Sequence, residues 1–241
     1  MENPLHHFEL HPLIPLSLFG IDISINKAIV MMWIACGLVF LFFYVATQGR
    51  SLVPRRIQSM AEMAVEFLRA LVLENMGPAG RKFFPFIATL FFFVLFANLL
   101  GLIPGAYTVT SQVIVTGFLA VLVYGISLVV GFALHGFHFL SILAPAGTPG
   151  WLMPLMVPIE IISQLARPVT LAVRLFANMT AGHIILIVLF SLMLTAPVYI
   201  GWMPFGFTVA IYGLELFVAF IQAYIFTILA TVYLGDAIKL H

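Results

Sequence analysis

The sequence predicts an all-α integral membrane protein: upright transmembrane helices, one interfacial amphipathic helix and a long, steeply tilted helical hairpin. Three observations carry this prediction. Of 241 residues, 63% are hydrophobic and only 8% are charged, where a soluble domain is nearer ~25% charged. Several uncharged runs reach the roughly 20 residues that cross a ~30 Å hydrocarbon core. Two later apolar stretches are much longer than that core is thick. The chain reads as a single membrane domain over 1–241.

Residues 1–26 read as an external polar tail with His6, His7, His11 and several prolines. The histidines are irregularly spaced near a terminus, which fits a solvated segment better than a metal site. There is no basic leader region and no small-residue cleavage site, so no removable signal peptide is expected. Residues 28–46, 83–103 and 113–134 are three transmembrane helices by length and apolarity.

The segment 55–76 is different. Arg55, Ser59, Glu62, Glu66 and Arg69 recur at helical spacing on one face, and Ile57, Met60, Ala64, Phe67, Leu68 and Leu71 line the other. That pattern predicts an amphipathic helix in the membrane interface. Gly77-Pro78 ends it. Arg50, Arg55, Arg56, Arg69, Arg81 and Lys82 gather in this one connecting region. The positive-inside rule then puts it in the cytoplasm and the N-terminus outside. The number of later spans returns Lys239 and the C-terminus to the cytoplasm.

The last third holds two helices, 152–196 and 205–236. At 1.5 Å per residue they are ~65 Å and ~48 Å long. Neither fits upright, so both must tilt or run partly along the membrane plane. Pro197, Gly201 and Pro204 mark the turn between them, and Pro154, Pro158 and Pro168 let the first helix bend.

Between Phe83 and Gly235 the Asp, Glu, Lys and Arg residues are Glu160, Arg167, Arg174 and Glu215 alone. Each is costly at membrane depth, at least ~2.5–3.5 kcal/mol for a central arginine, so each is a functional candidate. Glu160, Gln164, Arg167, Leu171, Arg174 and Asn178 step by 4, 3, 4, 3 and 4, which puts them on one helical stripe. Glu215, Gln222 and Tyr233 share a face of the next helix. His183 is nine residues past Arg174, half a turn out of phase. This spacing points to two separate polar routes with Arg174 between them. Structural roles fit some of the same residues. Arg167 before Pro168 could satisfy carbonyls freed by the kink, Gln164 and Asn178 could bond between helices, and Glu160 could pair with Arg167.

Soluble enzyme chemistry has no mark here. There is no CxxC, HExxH, GxSxG or phosphate-loop pattern. No metal and no cofactor is expected. The single cysteine, Cys36, excludes an intramolecular disulfide. With a net charge of +1 and no basic patch, nucleic acid is not an expected partner.

RPVTLAVRLFANMTAGH, FANLLGLIP (with Asn98, Gly101 and Pro104) and the terminal IQAYIFTILATVYL together resemble the a subunit of F-type ATP synthases, over nearly the whole chain. The resemblance implies that Arg174 is the essential arginine facing a rotor carboxylate. Glu160, Asn178, His183, Glu215 and Gln222 then line two aqueous half-channels, with Gln164, Arg167, Tyr233 and Asn98 in support. A proton would come in from outside near His183 and Glu215, neutralise a rotor carboxylate, and leave after nearly a full turn near Glu160. Arg174 would favour the ionised rotor carboxylate and block a direct leak. The chain itself would not be catalytic.

The implied partners are the c-subunit rotor ring, the b and b′ peripheral stalk subunits, membrane lipid and, indirectly, the catalytic head. The implied location is a bacterial or mitochondrial inner membrane. Many bacterial members have an acid at the position of His183 and a histidine at that of Glu215; the exchange here points to an alphaproteobacterial or mitochondrial-like form. A self-contained proton or solute transporter is the alternative, but no duplicated halves are visible. An intramembrane hydrolase would need a nucleophile paired with a base, and His183 has no evident serine partner.

Overall fold

In the computed structural model, residues 12–14, 17–18, 21–22, 24–48, 55–103, 108–143, 152–195 and 202–239 are described. The N-terminal histidines, Arg50, Pro104 and the turn at 196–201 lie outside them. The architecture is α-helical: α1 Lys27–Thr47, α2 Arg56–Met76, α3 Phe84–Gly101, α4 Val113–His135, α5 Met153–Thr195 and α6 Trp202–Ile238. Five helical stretches, all but α2, are long and apolar enough to cross a membrane. The chain is thus a multi-pass membrane protein.

Within the region expected to be a tail, two short antiparallel pairs form. β1 (Pro12–Ile14) pairs with β4 (Ile25–Asn26), and β2 (Ser17–Leu18) with β3 (Ile21–Asp22). β-Branched isoleucines in a short alternating segment favour such pairing.

Pro204 is not a turn residue. It sits in the first turn of α6, where a missing N–H costs little. Pro158 and Pro168 lie inside α5, which stays helical through both over 43 residues.

The helices divide into two compact units. The first comprises Met1–Gln48, Phe92–Val113 and Leu175–Ala223. Its packing centres on aromatic rings and small residues. Phe92 meets Phe43 edge-on at 4.8 Å and Phe42 at 5.9 Å, and Phe42 also meets Phe96 at 5.8 Å. Ala97, Ala219 and Ala223 are fully buried, which lets backbones approach closely. Tyr212 donates from its hydroxyl to the Leu102 carbonyl at 2.7 Å.

The second unit comprises Gly49–Phe91, Ile114–Arg174 and Tyr224–His241. Here α2 buries Ala61, Leu68, Leu71, Val72 and Met76, while Ile57, Met60, Met63 and Phe67 stay exposed. Phe67 meets Tyr224 of α6 at 5.8 Å. After α4, a 3-10 segment folds back so that Phe139 lies over Gly131 and meets Phe132 at 5.1 Å.

Candidate functional site

Helix α5 carries most of the candidates because polar residues recur along one of its stripes, broken only at Leu171. Along that stripe Glu160, Gln164 and Arg167 are half-buried, Leu171 is buried, and Arg174 and Asn178 are exposed. The stripe therefore follows the border between the packed and open sides of the helix. Arg174 has no ion-pair partner among the described residues.

One polar cluster lies in the second unit. Gln164 donates to Glu160 Oε1 at 2.9 Å. Arg167 Nη1 is 3.6 Å from Asp236 Oδ2, and its guanidinium lies 5.8 Å from the centre of the Tyr233 ring, a cation–π arrangement. Gln164, Arg167, Tyr233 and Asp236, with Tyr124 and Ser127, form the polar lining of a cavity of about 210 Å³. Its walls are otherwise apolar. The geometry decides between the options the spacing left open. Arg167 takes Asp236 rather than Glu160, and Glu160 takes the Gln164 amide.

A second cluster lies in the first unit. Asn178, His183 and Glu215 line one small pocket with Thr108 and Gly101. Its volume of about 10 Å³ is near the ~10–15 Å³ that a single water needs. Glu215 reaches α5 at Gly182, where a side chain would occupy the space of its carboxylate. Glu215 Oε1 is buried with no hydrogen-bond partner among the described residues. Two turns further along α6, Gln222 is buried. Asn98 of α3, fully buried, donates to the Ala219 carbonyl at 3.4 Å, between the Glu215 and Gln222 turns.

The chain matches the family described as ATP synthase A chain over residues 29–235. The chain belongs to the ATP synthase subunit a family. It is 49% identical to ATP synthase subunit a of Magnetococcus marinus, covering 99% of this chain and 94% of that one. It is 49% identical to the subunit a of Rhizobium leguminosarum bv. trifolii, covering 98% and 97%. The subunit a of Rhodospirillum rubrum is 44% identical over the full length of both. As a subunit a family member, the chain has its role in the proton channel of the F-type ATP synthase, as a membrane subunit of that complex.

Sequence reasoning missed several residues of a subunit a chain laid out this way. Asp236 lies one position beyond the apolar stretch from Phe83 to Gly235, yet it is the carboxylate that meets Arg167. Its spacing of three from Tyr233 was the available signal. Tyr124 and Ser127 of α4 had no signal, since a lone hydroxyl in an apolar run is common. Gly182 was visible only as the residue before His183.

Proposed function

We propose that the chain conducts protons along two offset half-channels to and from the c-subunit rotor ring, with Arg174 between them. The inlet runs past Asn178, His183 and Glu215, with Gln222 and Asn98 in support. The outlet runs past Glu160 and the cavity of Gln164, Arg167 and Tyr233, bordered by Asp236. The chain is not catalytic alone; the chemistry of ATP belongs to the head it serves.

The observation that carries this reading is Arg174, exposed on a membrane-crossing helix with no carboxylate paired to it among the described residues. An isolated guanidinium in lipid is tolerable only if another chain or water answers it. On the face of α5 that carries Arg174, the exposed Ser163, Thr170, Ala177 and Ala181 are small, with the exposed Val169 and Val173 to one side. Small residues let a second helix approach closely, which supports a rotor helix bringing its carboxylate to Arg174. The ionised carboxylate is favoured beside a fixed positive charge, so a proton arriving there is released toward the outlet. Arginine holds its own proton at any physiological pH, so it relays none between the routes.

Two polar clusters, each inside a different compact unit, support two routes rather than one. Arg55, Arg56, Arg69, Arg81, Lys82 and Lys239 all fall in the second unit. By the positive-inside rule this supports a cytoplasmic outlet and C-terminus, with the N-terminus outside. The alphaproteobacterial relatives support a bacterial inner membrane, and b and b′ stalk subunits complete the stator.

The test is ATP-driven proton uptake in inverted membrane vesicles bearing wild-type or Arg174→Ala chain. Loss of acidification with the complex assembled is the expected result. Unchanged pumping would remove Arg174 from the exchange.

A further inference from the structure

Three helix C-termini meet at one place in the second unit. Lys239, just past α6, donates from Nζ to the carbonyl of Asn75 in the last turn of α2, at 2.9 Å. The ring of His135, the last residue of α4, has Nε2 3.3 Å from the carbonyl of Ile238, the last residue of α6. The final carbonyls of a helix have no partner within it, and the end of the helix is partially negative. A lysine ammonium is the donor such ends favour.

Close packing reinforces the tie. A Cβ at Gly235 would fall 2.8 Å from the Asn75 carbonyl oxygen, closer than side chains tolerate. The Lys239 stem passes over Gly77, which ends α2. The last turn of α6 is thus fixed to α2 by an ammonium on one side and a bare backbone on the other. Asp236 belongs to that same turn, three residues before Lys239 and one after Gly235.

We propose that Lys239 is a positioning residue for proton exit: by tying the last turn of α6 to the end of α2, it holds Asp236 beside Arg167. The tie matters because the Arg167–Asp236 contact is open to solvent, with the two side chains 34% and 50% exposed. An exposed pair does not fix its own geometry, so the helix end must be fixed from elsewhere. Lys239 is not among the residues that line the cavity. It acts through the register of α6. This inference rests on the outlet reading given above.

The experiment compares ATP-driven acidification per assembled complex in inverted vesicles for Lys239→Met, Lys239→Arg, Asp236→Asn and the Lys239→Met/Asp236→Asn pair. Methionine keeps a stem over Gly77 and removes the ammonium; arginine keeps donors for the Asn75 carbonyl. Lys239→Met is expected to slow pumping on the order of tenfold, within the ~100-fold that an ångström of misplacement can cost. Lys239→Arg is expected to restore most of the rate. The double variant should be no slower than Asp236→Asn, because one acts through the other. Multiplying losses, full-rate pumping by Lys239→Met or by Asp236→Asn, or failure of both Lys239 variants to assemble would each overturn the proposal. The outlet reading fails separately, if Arg174→Ala still pumps.

Discussion

The Glu215 carboxylate occupies the space that a side chain would take at Gly182, one residue before His183. A carboxylate on α6 and an imidazole on α5 are brought to one pocket because α5 has no Cβ at that contact. Glycine here is a matter of space, since the helix needs no unusual backbone angle.

Gly182→Ala therefore forces Glu215 off its present position. Overpacking of this kind costs about 1–3 kcal/mol. ATP-driven acidification should fall by about tenfold or more, the rate equivalent of ~1.4 kcal/mol. Vesicle acidification normalised to assembled complex measures it. A wild-type rate would mean that the Glu215 position is irrelevant to flux.

Arg167→Met should separate function from stability. The ion pair with Asp236 is partly solvated, and exposed pairs contribute roughly 0–1 kcal/mol. The variant should thus assemble in normal amounts while pumping drops. Arg167→Lys should recover part of the rate, since it restores the charge without the planar guanidinium. Loss of the complex in detergent extracts, in place of loss of rate, would assign Arg167 a structural role.

Phe92→Ala tests the aromatic packing of the first unit. Phe92 is buried and meets Phe42 and Phe43. Removing a buried phenylalanine ring costs about 3–5 kcal/mol. The expected readout is a lower melting temperature of the detergent-solubilised complex. Complex that does assemble should pump at a normal rate, because the rings that Phe92 meets, Phe42 and Phe43, are not candidate proton-path residues.

The helical class and the apolar spans were legible because lipid forces every backbone polar group to be satisfied within the helix. Length and apolarity then suffice to find the spans. The candidate residues on α5 were legible as rare charges at helical spacing. Periodicity gave the face each residue occupies, but depth was harder to read. Asn178 shares the azimuth of Glu160 yet lines the pocket of His183 and Glu215. Eighteen residues on one stripe are ~27 Å apart along the axis. Glu215 and Tyr233 likewise share a face of α6 and belong to different clusters.

By itself the sequence determined the membrane class and the charges within the apolar spans, through local composition and spacing, and the family through its motifs. Only the tertiary structure decided the pairings. Arg167 with Asp236, Glu215 against Gly182 and Lys239 on Asn75 depend on which helix faces which, and at what height. Helical periodicity repeats every turn and is silent on that register. Packing between helices sets it, through the small residues and ring contacts that let two backbones meet at one depth and not another.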